Sequence, residues 1–336
     1  MNKDQIEAEN AALRWSWDRY PEDHLDSYLV AGVEDPRINI QSILTRGLLS
    51  DSLFPNAYTG LIREELRFGA VLTWLLREIQ HGHCRSDILT KIEVGDFHAM
   101  PRFIAETATW LRSDACPVPD YITMALDPIG LDESNSLLSP LVENLFCDIW
   151  SQHFAGCPIS SVRILEPACG SANDYRIIHQ SGLARLIHYV GLDISQKNIA
   201  NAHRRFPDVD FRVGSILNSG LPSDAFDYVF VHDLFEHLSG DGIVLALSEI
   251  IRLARREAWV HLFNSKPTGE HVIVPAEHYH QNTISCEALR LLGQRCGCET
   301  EVIMIADFLR DQFGWQDYYN PRAATLLFHK QVDPHT

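Results

Sequence analysis

The chain has 336 residues, of which 46% are hydrophobic and 10% aromatic, a composition typical of a globular protein with a substantial core. Its formal net charge is -17. Nucleic-acid binding rests mainly on Lys and Arg neutralising phosphates, so we expect no nucleic-acid partner. No run of about 18 apolar residues is present, which predicts no membrane span.

The cysteines and the start of the chain indicate a cellular compartment. The opening MNKDQIEAEN is polar and lacks the apolar stretch of a secretory signal. Eight cysteines, none of them spaced C-x-x-C, are too dilute for a disulfide scaffold. We therefore expect a reduced, cytoplasmic protein.

Residues 1–157 are predicted to form a mainly helical region. Apolar residues recur at helical spacing in Thr59–Gln80, and residues 103–111 and 143–153 are further helix candidates. The first 150 residues hold 12 basic and 24 acidic side chains, a net charge of -12, against -5 for the remainder. We expect this region to act as a lid, or to contact the substrate or a second copy of the chain in a homodimer. The aromatic residues expected to wall a pocket or to join the core are Trp15, Trp17, Tyr20 and Trp74.

Residues 158–332 are predicted to form a second domain, in which strands alternate with helices. Helices are predicted at 196–205 with Ser195 as the N-cap, at 242–254 and at 285–296. The predicted strands are 162–165, 189–192, 210–213, 226–231, 258–263, 300–305 and 324–329. The side chains of 242–254 expected to face the sheet are Val244, Leu247, Ile250 and Ile251. The fold class is therefore α/β, a doubly wound, Rossmann-like sheet of seven strands with an N-terminal mainly helical region.

Three pieces of sequence fall at the carboxyl ends of the first three strands, where ligands of such sheets bind. Residues 164–174 read ILEPACGSAND, a strand followed by small residues that let the backbone turn tightly and approach a ligand. Asp193 ends the second strand and can accept hydrogen bonds from ribose hydroxyls. Ser215 follows the third strand, beside Ile194 and Ile216, which can frame a flat heterocycle.

These residues, in this order, resemble the class I S-adenosylmethionine-dependent methyltransferases over about residues 162–330. The family's first strand ends in an acid and a loop of the form E-x-G-x-G-x-G, whereas residues 166–172 read E-P-A-C-G-S-A. Two of the three family glycines are therefore alanines, which do not favour a positive φ. The resemblance implies S-adenosyl-L-methionine as the cofactor, with Glu166 toward its amino group, Asp193 toward its ribose and Ser215 where the family often has an Asp that meets the adenine amine. The residues that it places around the cofactor are Glu166, Ala168, Gly170, Asp193, Ile194, Ser215, Ile216 and His232.

A nicotinamide or flavin site is the alternative for this loop. Its fingerprint, G-x-G-x-x-G, begins where the strand ends. Ala168, Gly170 and Asn173 do not supply it. The last two predicted strands also resemble the closing hairpin of the methyltransferases, so we favour the methyltransferase interpretation.

Catalytic side chains are expected after the fourth and fifth strands, where the methyl group would point. Residues 226–238 resemble the family's fourth strand and the loop and helix after it, with Glu236 and His237 opening that helix. The loop of residues 270–280 is dense in titratable groups, and histidine has the right unperturbed pKa for a base near neutrality. The candidate catalytic residues are His278, His280 and His237. We expect His278 or His280 to act as the base or to orient the acceptor, and for His237 a capping or packing role is favoured over catalysis.

A metal site is weighed against this interpretation and not predicted. Glu277, His278 and His280, with Asp233, have suitable ligand types, but their spacing is not diagnostic. The run His81-Gly-His-Cys84 follows a predicted helix, and Gly82 fits a C-cap, so we expect a turn there.

The acceptor is predicted to be a small molecule. Family members that methylate nucleobase amines usually carry D/N-P-P-Y/F after the fourth strand, whereas residues 231–235 read VHDLF. If the acidic N-terminal region forms a lid, it would disfavour anionic acceptors. The pattern does not distinguish O, N and C as the atom that is methylated. Two alternatives to a small-molecule acceptor are open. One is methylation of a protein side chain, and the other is a non-catalytic partner module, because Ser215 and two alanines depart from the family's cofactor motif.

Overall fold

The computed structural model describes residues 1–18, 39–83, 87, 90, 140–316 and 318–330. The helices are α1 (Lys3–Asp18), α2 (Ile40–Leu53), α3 (Thr59–Gln80), α4 (Pro140–Phe154), α5 (Asn173–Gln180), α6 (Gln196–Arg205), α7 (Gly240–Leu253), α8 (Cys286–Arg295) and α9 (Ile305–Phe313). The strands are β1 (Arg163–Pro167), β2 (His188–Asp193), β3 (Asp210–Val213), β4 (Phe226–His232), β5 (Ala254–Leu262), β6 (Ser265–Lys266), β7 (Ile284–Ser285), β8 (Cys298–Met304) and β9 (Ala324–Lys330).

Seven of these strands form one sheet in the order β3-β2-β1-β4-β5-β9-β8, and β6 pairs separately with β7. The strands β1 to β5 run parallel, whereas β9 is antiparallel to both β5 and β8. Because the strand order reverses between β1 and β4, the carboxyl ends of these strands border the crevice at which ligands of doubly wound sheets bind. The predicted seven-stranded α/β fold is therefore confirmed.

The sheet separates two apolar cores, because successive side chains of a strand point to opposite faces. In β4, Tyr228 and Phe230 join the core beneath α2, α4, α5 and α9, whereas Val229 and Val231 join the core beneath α7 and α8. All four side chains are buried. This burial on both faces is what a parallel sheet covered by helices on both sides requires.

The N-terminal helices pack on the sheet at the same edge as the strand ends. Gln41 of α2 donates through Nε2 to the backbone oxygens of Leu262, at 3.2 Å, and Ala324, at 2.8 Å. A buried ion pair joins α2 to α3, since Arg46 Nη2 lies 2.6 Å from Glu65 Oε1, and Trp150 of α4 donates to the second oxygen of Glu65. These bonds fix the helices against the sheet.

Several sequence-based predictions are corrected by the structure. Val244 is 48% exposed, and Ile243 lies on the buried stripe of α7 instead, because consecutive helical residues are about 100° apart around the axis. Three helices, α1, α2 and α9, were not predicted. Residues 103–111, Tyr20 and Cys84 lie outside the described residues, as do the side chains of Trp17 and Trp74. The predicted turn after α3 is present, with Gly82 at a φ of 81°.

Candidate active site

The loop after β1 turns through three residues with left-handed backbone conformations. The φ angles are 57° at Ala168, 55° at Gly170 and 66° at Ala172, the three positions where the motif E-x-G-x-G-x-G has glycine. A left-handed L-residue costs about 1–2 kcal/mol, so both alanines are held there by their surroundings. The amide of Cys169 donates to the backbone oxygen of Leu192 at 3.2 Å. The loop thus adopts a tight turn at the end of β1 despite its alanines.

Asp193 ties the end of β2 to this loop. Its Oδ2 accepts from the amide of Gly170 at 2.9 Å, and its Oδ1 accepts from the amide of Ser195 at 2.8 Å and from Asn198 Nδ2 at 3.2 Å. Burial raises the pKa of Asp193, and the donors from Ser195, Gly170 and Asn198 oppose that rise. The amide of Gly214 donates to the backbone oxygen of Asp193 at 2.9 Å, so the ends of β1, β2 and β3 are connected.

Glu166 is buried, with 2% of its surface exposed, and accepts a short hydrogen bond from the hydroxyl of Tyr189. Burial raises the pKa of Glu166 well above its usual range, and repulsion from Asp174 and Asp193 adds to the rise. Three carboxyl groups therefore converge at the carboxyl ends of β1 and β2. A cationic ligand would relieve their mutual repulsion, because an opposite charge favours the ionised form of each acid.

Ser215 follows β3 and makes two hydrogen bonds through its hydroxyl. It accepts from the amide of Leu217 at 3.1 Å and donates to Oδ1 of Asn10, on α1, at 2.6 Å. Ile216 is buried and Ile194 is half-buried against the same core. A cavity of about 900 Å³ opens here, lined by Ile194, Gly214, Ser215 and residues of α1. Of the residues predicted to frame a heterocycle, Ile194 and Ser215 thus border one space, whereas Ile216 lies in the core behind it.

His232, at the end of β4, is engaged away from this cavity. Its ring stacks on the ring of His261 with centroids 4.0 Å apart, and Thr45 Oγ1 lies 3.2 Å from His232 Nε2 and 2.9 Å from His261 Nε2. Burial lowers the pKa of both histidines, although Asp174 opposes the shift at His232. A neutral histidine pair bonded to a hydroxyl from α2 is the result.

Helix α1 lies across the carboxyl ends of the strands. At one end of the contact, Lys197 Nζ near the start of α6 donates to the backbone oxygen of Asp18 at 2.5 Å. At the other, the carboxylate of Glu9 accepts from both the amide and the hydroxyl of Ser239, the N-cap of α7. Leu13 is buried in the core that α7 covers. This helix therefore covers the crevice at the strand ends.

A second, smaller cavity of about 290 Å³ lies on the other side of α1. The structure brings all three candidate catalytic histidines together in its wall. Nδ1 of His237 lies 3.2 Å from the backbone oxygen of His280, and the rings of Trp15 and His278 are 4.0 Å apart. The residues that line the cavity are Met1, Gln5, Ala8, Glu9, Ala12, Leu13, His237, Ser239, Asp241, His278, Tyr279 and His280.

Residues 164–257 match a family model described as a methyltransferase domain. This match runs from β1 into the first residues of β5 and includes the connected ends of β1, β2 and β3. Over residues 164–257 the chain is therefore similar to methyltransferase domains. No curated protein matches the chain by sequence.

Solved structures resemble about half of this chain at low sequence identity. The [4+2]-cyclase SpnF is 18% identical, covers 57% of this chain and 83% of its own, and gives a TM-score of 0.40. A chain of the complex between the Haloferax volcanii Trm112 methyltransferase activator and a putative methyltransferase is 17% identical over 57% of this chain and 99% of that one, with a TM-score of 0.41. Haemonchus contortus phosphoethanolamine N-methyltransferase 2, in complex with S-adenosyl-L-methionine, is 16% identical over 55% of this chain and 53% of that one, with a TM-score of 0.39.

The prediction that Glu236 and His237 open the helix after β4 is wrong. Residues Phe235–His237 form a single 3-10 turn, and α7 begins at Gly240 with the side chain of Ser239 accepting from the amide of Gly242. Ser239 supplies the N-cap oxygen that a helix start needs, so Glu236 and His237 do not open the helix. They lie instead in the connection between β4 and α7.

Glu236 is the most perturbed acid of this connection, and its burial was not predicted. Its Oε1 accepts from the amides of Phe263, at 2.8 Å, and Asn264, at 3.2 Å, which follow β5. Its Oε2 is buried without a hydrogen-bond partner among the described residues. Burial, with repulsion from Asp233, raises the pKa of Glu236 to about 8. The neutral acid therefore predominates at pH 7 and links the ends of β4 and β5.

Within the described residues, no group of three or more His, Cys, Asp or Glu side chains could hold a metal ion. Of the residues weighed as ligands, His278 and Glu277 lie 4.0 Å apart through Nε2 and Oε1, and the His278 ring packs on Trp15. In the part of the chain that the structure describes, no helix is long and apolar enough to cross a membrane.

Asn10, Thr45 and His261 were also missed by sequence analysis. Asn10 contacts a residue 205 positions away, and Thr45 contacts residues 187 and 216 positions away. Their relevance depends on where α1 and α2 dock, and no local pattern encodes such docking. Polar residues on the buried faces of α1 and α2 were the one signal available.

Proposed function

We propose that this protein transfers a methyl group from S-adenosyl-L-methionine to a small-molecule acceptor. The observation that supports this most is the pairing of the connected strand ends with a small histidine-lined cavity beside them, both covered by α1. The carboxyl groups at the strand ends suit a cofactor that carries positive charge. The histidine-lined cavity is too small for a folded partner. S-adenosyl-L-methionine, when bound, supplies a methyl group already activated on a sulfonium sulfur.

The residues proposed to hold the cofactor follow from the carboxyl groups and turns described above. Glu166 would receive the amino group, and Asp193 would receive the ribose hydroxyls. Ala168 and Gly170 let the backbone approach closely, as small residues do. Ile194, Ser215 and Ile216 would frame the adenine. The contribution of His232 is proposed to pass through its backbone, because its side chain is bonded to Thr45.

His237 is the best-placed base. Its Nδ1 faces a carbonyl oxygen, which can only accept, so Nδ1 carries the proton and Nε2 holds the lone pair. Burial lowers the pKa of His237, and its bond to the His280 oxygen opposes that shift. The ring is thus neutral at pH 7 and able to take a proton from an acceptor. His280 would position His237, and His278, packed on Trp15, would orient the acceptor.

The cavity wall favours a neutral or cationic acceptor over an anionic one. Glu9 and Asp241 contribute carboxylates, and Tyr279 contributes an aromatic face. A cation is stabilised both by carboxylates and by the face of an aromatic ring. An acceptor that carries phosphate would bind poorly here, in agreement with the acidic balance of the N-terminal region.

Two measurements test this function. Isothermal titration with S-adenosyl-L-methionine reports cofactor binding, and absence of binding would support the non-catalytic alternative. A labelled-methyl assay on separated small-molecule and protein fractions of a lysate then identifies the acceptor class. We expect label in the small-molecule fraction, whereas label in the protein fraction alone would favour the alternative of a protein side chain.

Variants of the cavity test the assignment of the base. His237→Gln keeps a donor toward the His280 oxygen but removes the basic nitrogen. We expect its turnover to fall roughly 100-fold or more, the usual contribution of general base catalysis, with cofactor affinity unchanged. Unchanged turnover would exclude His237 as a base. Cytoplasmic location and a homodimer through the N-terminal region stay proposals, and sedimentation of the purified chain tests the second.

A further inference from the structure

Asn10 brings a carboxamide from α1 to the end of β3, outside the part of the chain that matches the methyltransferase model. Its side chain is 8% exposed. Its Oδ1 accepts the proton of the Ser215 hydroxyl at 2.6 Å, and the residue lines the cavity of about 900 Å³ together with Ile194, Gly214 and Ser215.

Ser215 cannot replace the aspartate that many family members have at this position as an acceptor for the adenine amine. Its hydroxyl proton is donated to Asn10, and its oxygen accepts from the amide of Leu217 at 3.1 Å. The hydroxyl therefore presents no strong acceptor to a purine amine. It does fix the carboxamide of Asn10, because a hydroxyl that donates must face the amide oxygen and not the amide nitrogen.

We propose that Asn10 is the adenine-recognition residue of the cofactor site. The inference rests on the proposed function, since it assumes that the cofactor carries adenine. An amide oxygen has two lone pairs, so Oδ1 retains one for the exocyclic amine of adenine. The amide nitrogen donates to no acceptor among the described residues, and it is available to a ring nitrogen. A carboxamide pairs with adenine through this combination of one acceptor and one donor.

Recognition of adenine by Asn10 would depend on the position of α1 over the strand ends. Glu9 is bonded to Ser239, Leu13 is buried, and the backbone oxygen of Asp18 is bonded to Lys197. These contacts hold Asn10 at the cavity, so binding of adenine would also hold α1 over the strand ends. The same helix would then close the acceptor cavity when the cofactor is present.

The experiment measures the affinity of two ligands for three forms of the full chain. The ligands are S-adenosylhomocysteine and S-inosylhomocysteine, in which hypoxanthine replaces adenine and exchanges an amine donor for a carbonyl acceptor. The forms are the natural protein, Asn10→Ala and the matched control Asn218→Ala, whose exposed side chain lies on the same cavity. Dissociation constants come from isothermal titration, and circular dichroism confirms that each form is folded.

We expect the natural protein and Asn218→Ala to prefer the adenine ligand by roughly tenfold or more, as a paired carboxamide does for adenine. In Asn10→Ala, this preference should fall to near unity as the adenine ligand weakens. Equal weakening of both ligands would show that Asn10 only supports α1, and tighter binding would show that α1 competes with the cofactor. Either result overturns the proposal while the proposed function stands. Failure of the natural protein to bind either ligand would overturn both.

Discussion

The neutral acid at Glu236 predicts how the stability of this protein depends on pH. In the unfolded chain, the carboxyl has its usual pKa of 4.5, whereas in the folded protein burial and Asp233 raise it to about 8. Below the lower value, both states are protonated. Between the two values, the unfolded chain has lost a proton that the folded protein keeps, so stability falls as the pH rises. Above the upper value, both states are ionised and the fall ends.

The size of the change in unfolding free energy follows from the shift in the pKa of Glu236. One pKa unit corresponds to about 1.4 kcal/mol, so a rise from 4.5 to about 8 lowers the free energy of unfolding by about 5 kcal/mol across this window. Glu236→Gln keeps an oxygen for the amides of Phe263 and Asn264 and cannot ionise. We therefore expect the variant to match the natural protein at about pH 4 and to exceed it by roughly that amount at about pH 9.

Urea unfolding followed by circular dichroism, at a series of pH values, measures this difference. Glu299→Gln is the matched control, because Glu299 is exposed at the edge strand β8. The control should keep a constant difference from the natural protein. If the difference between Glu236→Gln and the natural protein changes by less than about 1 kcal/mol across the window, Glu236 is not held as the neutral acid and the reasoning fails.

Three further changes test the packing around the site, each by thermal or urea unfolding. Glu65→Ala removes the carboxylate that pairs with the buried guanidinium of Arg46, and we expect a loss of about 3–5 kcal/mol; a loss below about 1 kcal/mol would contradict this. Ala168→Gly relieves the strain of a left-handed alanine, which stabilises the folded protein by about 1–2 kcal/mol. The glycine also raises the entropy of the unfolded chain, which destabilises the folded protein by about 0.4–1 kcal/mol. The variant should therefore be slightly more stable, and clear destabilisation would show that Ala168 is not strained. Gly191→Ala places a Cβ 2.5 Å from the ring of Phe211, beside the loop after β1, and should cost about 1–3 kcal/mol. The control Gly60→Ala meets nothing within 4 Å, and equal losses in both would argue against overpacking.

The sheet and its strand ends were predictable because their signals are local. The predicted N-cap is present, with Ser195 Oγ accepting from the amide of Asn198, and α6 and β3 have the predicted bounds. A buried parallel strand between a turn and a helix start needs only neighbouring residues to be recognised. Helix α9 had such a signal too, since Ile305, Leu309 and Phe313 recur every fourth residue before a C-capping glycine, and it was overlooked.

The polar interior of the site was not predictable in the same way. Whether Glu236 is an exposed helix-opening acid or a buried neutral one depends on the amides that follow β5, 27 and 28 residues further along the chain. The contact between Asn10 and Ser215 depends on the docking of α1. Hydrophobic periodicity specifies which face of an element is buried, but it does not specify which polar groups meet there.

The sequence motifs all lie after the predicted boundary near residue 157, but the helices before it pack directly on the sheet. Gln41 and Thr45 of α2 satisfy polar groups at the ends of β4, β5 and β9, and buried polar groups without partners are costly. Asn10 and Glu9 of α1 do the same at the ends of β3 and at the start of α7. The N-terminal helices therefore complete the site at the strand ends. Under the proposed function, acceptor selectivity and cofactor recognition would be set in part by these N-terminal helices, which lie outside the residues that match the methyltransferase model.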